Sequence, residues 1–357
     1  MGEVATFKTG KLDSNAAVEN GAYPFFTCSR ESFRTNTYSF DDEVVLLAGN
    51  NANGIYPLKY FKGKFDAYQR TYVIRPIDRT KLDTRFLYFA LRPQLDHLRS
   101  VSTGSATKFL TMGLLSNLEL PLPSLPTQRK IAGILSAYDD LIENNLRRIK
   151  ILEEMAQSLY REWFVHFRFP GHESVKLVDS ALGQIPKGWE VKPLFDVATV
   201  KYGKMMPTKN LIVDGLYPVY GAAKVIGRHT TFNRQDRTII CGCRGSVGEM
   251  QITLPKCYVT NNSFTFDPTR GGLFFWLFQT LMERGLRDVT GGAAQPQITL
   301  DGISQVHLAV PSEALLTNFE CRSRSLAELK WNLADRNDIL RQTRDLLLPK
   351  LLSPDHG

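Results

Sequence analysis

The chain has 357 residues, 43% of them hydrophobic, with a formal charge of +8. That length suits two ordinary domains with a core each, and the basic balance suits a polyanionic partner. Five cysteines, an odd number without framework spacing, exclude a disulfide scaffold and argue for a reducing compartment.

Taken in chain order, the first elements are short β-branched and aromatic runs broken by Gly, Asn and Pro. Glu43 to Ala48 and Thr71 to Arg75 read as strands, and Arg85 to Ser100 as a helix. A polar loop and a short strand ending at a proline follow. A long helix is then predicted from about Thr127 to Val165, with Pro126 in its first turn and Pro170-Gly171 as its stop. The same plan returns: strands at Arg237 to Cys241 and Ser263 to Phe266, a helix over Leu273 to Arg287, a loop, a strand and a second long helix. This last helix is expected from Ser312, its N-cap, to Leu352, with Pro349 expected to kink or end it.

The recurrence is also written in residues. Val4-Ala5-Thr6-Phe7-Lys8-Thr9-Gly10-Lys11 returns as Val197-Ala198-Thr199-Val200-Lys201-Tyr202-Gly203-Lys204. Asn20-Gly21-Ala22-Tyr23-Pro24 returns as Asp214-Gly215-Leu216-Tyr217-Pro218, and Leu120-Pro121-Leu122-Pro123 as Leu308-Ala309-Val310-Pro311. The order is kept at an offset of roughly 190 residues, far beyond solenoid periods, so a domain-plus-helix unit has been duplicated.

The long helices carry seams. In the first, Ile131, Leu135, Tyr138, Ile142, Asn145, Ile149, Leu152, Ala156, Leu159 and Trp163 recur at steps of three and four, an apolar heptad broken by one asparagine. In the second, Phe319, Leu326, Leu333, Leu340 and Leu347 lie seven apart, with Ser323, Lys330, Asn337 and Arg344 as poorer seam positions. At ~1.5 Å per residue the first helix would be about 57 Å long. The expectation is an antiparallel coiled coil between the two helices, with Asn145 setting register. The bland alternative is that each helix packs only on its own domain.

A family resemblance now emerges. The run Gly104-Ser105-Ala106-Thr107-Lys108-Phe109-Leu110-Thr111, the segment from Leu118 through Leu120-Pro121-Leu122-Pro123 to Pro126-Thr127-Gln128-Arg129-Lys130-Ile131, and the opening Leu182-Gly183-Gln184-Ile185-Pro186-Lys187-Gly188-Trp189-Glu190 resemble the specificity subunits of type I restriction-modification systems. The resemblance covers essentially the whole chain. It implies an α+β fold: two mixed α/β target-recognition domains joined by two long helices in an antiparallel coiled coil, with a pseudo-twofold internal repeat. The expected limits are residues 1–125 for the first domain, 126–170 for the first helix, 171–313 for the second domain and 314–357 for the second helix. One departure stands out. The second unit opens with Trp189 to Phe195 ahead of its Val-Ala-Thr strand, where the first has only Met1 to Glu3. The first domain is therefore expected to lack its leading turn and strand, the start of the chain being truncated or misassigned.

By the same resemblance the chain binds methyltransferase subunits along its helices and recruits restriction subunits. Each domain reads one half of a bipartite, asymmetric double-stranded DNA target, and the helices set the spacer. S-adenosylmethionine, ATP and Mg are expected in the partner subunits, not in this chain.

Base readers are sought in the polar loops where the repeats diverge, because Arg suits guanine while Asn and Gln suit adenine. In the first unit these are Asn50, Asn51, Asn53, Gln69 and Arg70; in the second, Arg244, Ser246, Asn261 and Asn262. Lys11, Lys108 and Lys204, with Lys8 and Lys201, are candidate phosphate contacts. For each of these the competing reading is an ordinary turn residue or a solvated lysine.

Catalytic signatures are not evident. No Asn/Asp-Pro-Pro-aromatic tetrapeptide, dinucleotide fingerprint or phosphate loop is present, and Gly242, Gly245 and Gly248 are spaced G-x-x-G-x-x-G. Glu190-Val191-Lys192 forms the E-x-K of many nucleases, but the nearest upstream acid, Asp179, falls in a linker. The lone C-x-C of Cys241 and Cys243 lacks a second ligand pair, Cys257 and His229 being poor candidates, so buried strand thiols are expected and no metal. No leader opens the chain, and Leu273 to Met282 is too short to span a bilayer, so a soluble cytoplasmic protein is expected. The alternatives are a duplicated protein-binding scaffold without DNA specificity and, behind it, a single-chain restriction and modification enzyme.

Overall fold

The computed structural model describes residues 1–51, 54–102, 108–292 and 296–353. Its elements, in order, begin with β1 (Ala5–Thr9), β2 (Tyr23–Phe26), β3 (Ser32–Thr35), β4 (Phe40–Ala48), β5 (Asn50–Asn51), β6 (Leu58–Ala67) and β7 (Thr71–Pro76). Next come α1 (Thr84–Leu91), α2 (Gln94–Val101), β8 (Lys108–Phe109), α3 (Met112–Ser116) and α4 (Leu125–Tyr160). The chain continues with β9 (Leu177–Ser180), β10 (Gly183–Pro186), β11 (Glu190–Pro193), α5 (Leu194–Val197), β12 (Ala198–Tyr202), β13 (Tyr217–Gly221), β14 (Lys224–His229) and β15 (Ile239–Gly242). It closes with β16 (Met250–Ile252), β17 (Tyr258–Val259), β18 (Ser263–Pro268), α6 (Phe274–Arg284), β19 (Thr290–Gly291), β20 (Gln297–Ile298), α7 (Leu300–Ser304), β21 (His307–Val310) and α8 (Glu313–Leu352). Two compact units result: Met1–Leu146 with Ala334–Gly357, and Arg147–Leu333.

The first unit is built on a six-stranded sheet in the order β1-β7-β4-β6-β2-β3. The run Val44 to Ala48 is fully buried because α1 covers one of its faces and an aromatic cluster of Phe26, Phe61 and Phe65 fills the other. The helix expected over Arg85 to Ser100 is broken in two at Arg92-Pro93, since proline removes a donor and clashes with the preceding turn. Asp83 starts α1 by accepting a hydrogen bond from the Phe86 amide.

The second unit repeats this topology in pieces. β12-β18-β15-β16 corresponds to β1-β7-β4-β6, and the parallel pair β13-β17 corresponds to the parallel pair β2-β6. The single long strand β6 is here interrupted between β16 and β17, where Pro255 cannot donate to a ladder and Lys256 adopts a φ of 50°. The helix α6 stops at Arg284, earlier than expected, because Gly285 turns the backbone to a φ of 67°.

Both long helices pair within each unit. In the first, Asn145 Nδ2 donates to Asn337 Oδ1 at 2.8 Å, and Asp139 pairs with Arg344. In the second, Lys330 pairs with Glu153 at 3.2 Å, while the rings of Phe319 and Phe164 meet edge-on at 4.9 Å. Within each unit, as residue numbers rise along one helix they fall along the other, so the pairing is antiparallel. Helix α4 begins two residues earlier than expected and closes in a π-helical turn, Arg161–Val165. Pro349 does not end α8, which runs on to Leu352; Leu348 is buried in the first unit's core, with Leu347, Leu351 and Leu352 packed against it.

One expectation is corrected. The strand ending at a proline forms in the second unit, where β21 pairs antiparallel with β11, but residues 118–124 of the first unit form no strand. Among the described residues no strand pairs with them as β11 pairs with β21.

Candidate nucleic-acid interface

In the first unit, the glycine after β1 brings two loops together. A Cβ on Gly10 would stand 1.9 Å from the Ala67 carbonyl oxygen, so only glycine allows this approach. The next turn is fixed by Gln69 N donating to Leu12 O at 2.9 Å. From there the network crosses to the end of β4: Gly49 N donates to Arg70 O at 2.7 Å, and Leu110 N donates to Gly49 O at 2.8 Å. β5 then pairs with β8, setting Asn50 opposite Phe109 and Asn51 opposite Lys108. The guanidinium of Arg70 lies 5.4 Å from the Phe109 ring centroid.

Asn50, Asn51, Gln69, Arg70 and Lys108 thus fall into one neighbourhood, with Lys11 at its margin. Lys11, Gln69 and Arg70 are exposed, while Asn50, Asn51 and Lys108 are half-buried. Gln69 is partly committed, since its Nε2 donates to Asp13 Oδ1 at 3.2 Å. Asn53 lies outside the described residues.

The second unit draws the same network with other side chains. A Cβ on Gly203 would stand 2.3 Å from the Thr260 carbonyl oxygen, Cys243 N donates to Asn262 O at 2.9 Å, and Ile298 N donates to Cys243 O at 3.0 Å. Arg244 bridges Gln297 in antiparallel register. By these bonds Gly49 matches Cys243, Asn50 matches Arg244, Phe109 matches Gln297 and Arg70 matches Asn262. Arg244 and Asn262 are exposed, and Ser246 and Asn261 half-buried, all in the loops around Cys243. The exposed Lys204 bridges Thr260 as Leu12 bridges Tyr68, so the repeat slips by one residue after Gly10 and Lys11 has no counterpart.

Phe109 and Gln297 escaped the search for polar divergence, because a phenylalanine does not read as a polar loop residue. Arg99 escaped it too. It sits in α2, yet its Cγ and the Lys108 Cδ would lie 3.2 and 3.1 Å from a Cβ placed on Gly54, so the two cations flank the loop end.

The three thiols Cys241, Cys243 and Cys257 are fully buried, and burial pushes the Cys241 thiol up to about 12. Glu190 and Lys192 of the E-x-K pair with each other at 2.7 Å. Lys192 holds the Glu190 carboxyl below its ordinary value through that hydrogen bond. Among the described residues no three His, Cys, Asp or Glu side chains converge as a metal site would require.

The residues of the expected seams are covered to different degrees. Ile131, Leu135, Ile142, Asn145, Phe319 and Leu333 are buried; Tyr138, Ile149, Leu152, Leu159, Leu326, Leu340 and Leu347 are half-buried. Three of the poorer seam positions, Ser323, Asn337 and Arg344, are buried as well. Among the described residues no helix is long and apolar enough to cross a membrane.

Fold and loops together define a duplicated domain-plus-helix protein with two variants of one loop scaffold. The chain belongs to the family described as the type I restriction modification DNA specificity domain, whose profile matches residues 1–154 and 186–314. It is 40% identical over 161 residues to the type I restriction enzyme EcoDI specificity subunit of Escherichia coli, covering 45% of this chain and 34% of that one. It is 26% identical over 302 residues to the MjaIX specificity subunit of Methanocaldococcus jannaschii, covering 78% and 70%. The match thus spans about a third of the length of the first of these relatives. The crystal structure of a type I restriction-modification system S subunit from M. genitalium shares the fold, with a TM-score of 0.63 at 19% identity, over 99% of this chain and 94% of that one.

Proposed function

We propose that this chain is the DNA-reading specificity subunit of a type I restriction-modification complex and does no chemistry itself. The observation that carries this is the matched loop scaffold. One set of backbone hydrogen bonds holds Asn50, Arg70 and Phe109 in the first unit, and Arg244, Asn262 and Gln297 in the second. Equal backbones with unequal hydrogen-bonding side chains are what two readers of different half-sites require. The target is accordingly bipartite and asymmetric, unlike a homodimer's palindrome.

In this reading Lys11, Lys108 and Lys204 contact phosphate, and the paired helices set the unspecified spacer. Methyltransferase subunits bind along the helices, and restriction subunits join that core. S-adenosylmethionine, ATP and Mg belong to those partners, and the complex works in the cytoplasm. The relatives' names and the family's description as a DNA specificity domain support the assignment.

The test is an adenine-methylation map. Coexpression with the cognate methyltransferase subunit should yield one bipartite asymmetric motif that vanishes without this chain. Exchanging residues 186–311 for those of a relative should change one half of the motif only. A stable complex that methylates without sequence preference would overturn the reading in favour of a protein scaffold.

A further inference from the structure

The tip of one hairpin lies against the second unit's loop scaffold and is held in a strained backbone. β13 and β14 pair as far as Gly221 and Lys224, so Ala222 and Ala223 form the whole turn. Both adopt a positive φ, 50° and 59°. A two-residue turn with two such residues normally takes asparagine and glycine, because a Cβ there crowds the following carbonyl. Two alanines in a row therefore need a reason.

For Ala223 the reason is burial. It is 4% exposed and packs with Tyr220, Ile240, Cys257 and Val259. Its amide donates to Ser263 Oγ at 3.0 Å, and Gln251 Nε2 donates to its carbonyl. These contacts hold the turn in its strained form. For Ala222 burial gives no reason, since it is half-exposed and takes no part in that cluster. What it adjoins is the reader loop. A Cβ on Gly245 would stand 3.4 Å from the Ala222 Cβ, and a Cβ on Gly242 would stand 3.1 Å from the Ala222 carbonyl carbon. The methyl group thus sits beside Arg244-Gly245-Ser246, partly open to solvent, in a backbone conformation that glycine would adopt without strain.

The first unit brings a hairpin tip to the equivalent place. Its β2–β3 turn is longer, Thr27 to Glu31, and Cys28 Sγ donates to the Arg70 carbonyl at 3.3 Å. The tips of both units therefore abut the reading loops, and like those loops they differ, here in length as well as in side chains. A two-stranded ribbon fits the major groove, where an alanine methyl meets the 5-methyl of thymine.

We infer that the β13–β14 tip is a further base-reading element, and that the Ala222 methyl recognises the 5-methyl of a thymine in the half-site read by the second unit. The inference rests on the DNA-reading role proposed above, and adds to it a residue that turn chemistry alone would have made glycine.

The test uses the complex of this chain with its methyltransferase subunit and an oligonucleotide carrying the mapped motif. Each thymine of that half-site, on either strand, is replaced in turn by deoxyuridine, which removes the methyl and keeps the pairing edge. One replacement should weaken binding about fourfold, the worth of one buried methyl, and the others should not. Ala222→Gly should weaken binding to unmodified DNA by a like factor and be indifferent to that same replacement. It should also raise the melting temperature of the chain, because the strain is gone. A replacement whose effect persists in Ala222→Gly would overturn the inference, as would a half-site insensitive to every replacement or lacking thymine. A complex without any sequence preference would instead overturn the DNA-reading role on which it stands.

Discussion

Asn145 donates its side-chain amide to Asn337 at 2.8 Å, where both residues are buried between the long helices. Asn337 in turn points its own amide at the Ile142 carbonyl, 3.4 Å away. Asn145 thus satisfies the side-chain carbonyl oxygen of Asn337, and Asn337 satisfies a backbone carbonyl of the facing helix.

Asn145→Leu should therefore cost more than its apolar gain suggests. It leaves Asn337, 1% exposed, short of a partner, a penalty of about 1–3 kcal/mol. Exchanging both residues for leucine should recover most of that loss. Denaturant midpoints of the two variants decide it: equal midpoints would mean the pair carries no coupling.

The loop scaffold predicts separable specificities. Arg70→Ala should relax one half of the methylation motif and Arg244→Ala the other, each lowering discrimination at its position by about 1–3 kcal/mol. Lys11→Ala should instead weaken DNA binding evenly and reduce the salt slope by about one. If Arg70→Ala and Arg244→Ala altered the same half-site, the matched-loop argument would fail.

Two glycines bear directly on loop geometry. A Cβ at Gly10 or Gly203 would press on a backbone carbonyl at 1.9 or 2.3 Å, and backbone cannot swing aside as a side chain can. Gly10→Ala and Gly203→Ala should each destabilise their unit by about 1–3 kcal/mol or more. Thermal unfolding of the purified variants, monitored with wild type alongside, measures this directly.

Alkaline pH should destabilise the second unit. The Cys241 thiol is raised from 9.0 to about 12 by burial, with Cys243 adding in the same direction. A raised acid contributes stability that is fully present below its unfolded value. That stability is lost as pH rises through 9 toward 12, because the unfolded thiol ionises first. Cys241→Val should flatten the fall in denaturant midpoint across this window; an unchanged slope would assign the fall to other groups.

The amino-acid sequence by itself determined the duplication, the two long helices and the apolar side of their seams. These rest on local periodicity and on residues recurring in order, which survive without knowledge of any contact. It also singled out Asn50, Gln69, Arg70, Arg244 and Asn262 as loop residues, since turn chemistry and divergence are local. Only the tertiary structure decided which of them correspond. Asn50 matches Arg244 through backbone bonds to residues about 50 to 60 positions away, and the slip after Gly10 is invisible to a residue-by-residue match. The shared Arg34 and Arg228, each donating to a carbonyl two residues before a Tyr-Pro strand start or one residue before it, likewise escaped notice. Tertiary structure also decided that Asn337 and Arg344, poor seam residues by hydropathy, are buried beside Asn145 and Asp139. Whether a polar residue can be buried depends on the partner it meets across the helix pair, and that partner lies nearly two hundred residues away in the chain. The same holds for residues 118–122: their sequence suits a strand, but a strand exists only where another supplies the other half of its hydrogen bonds.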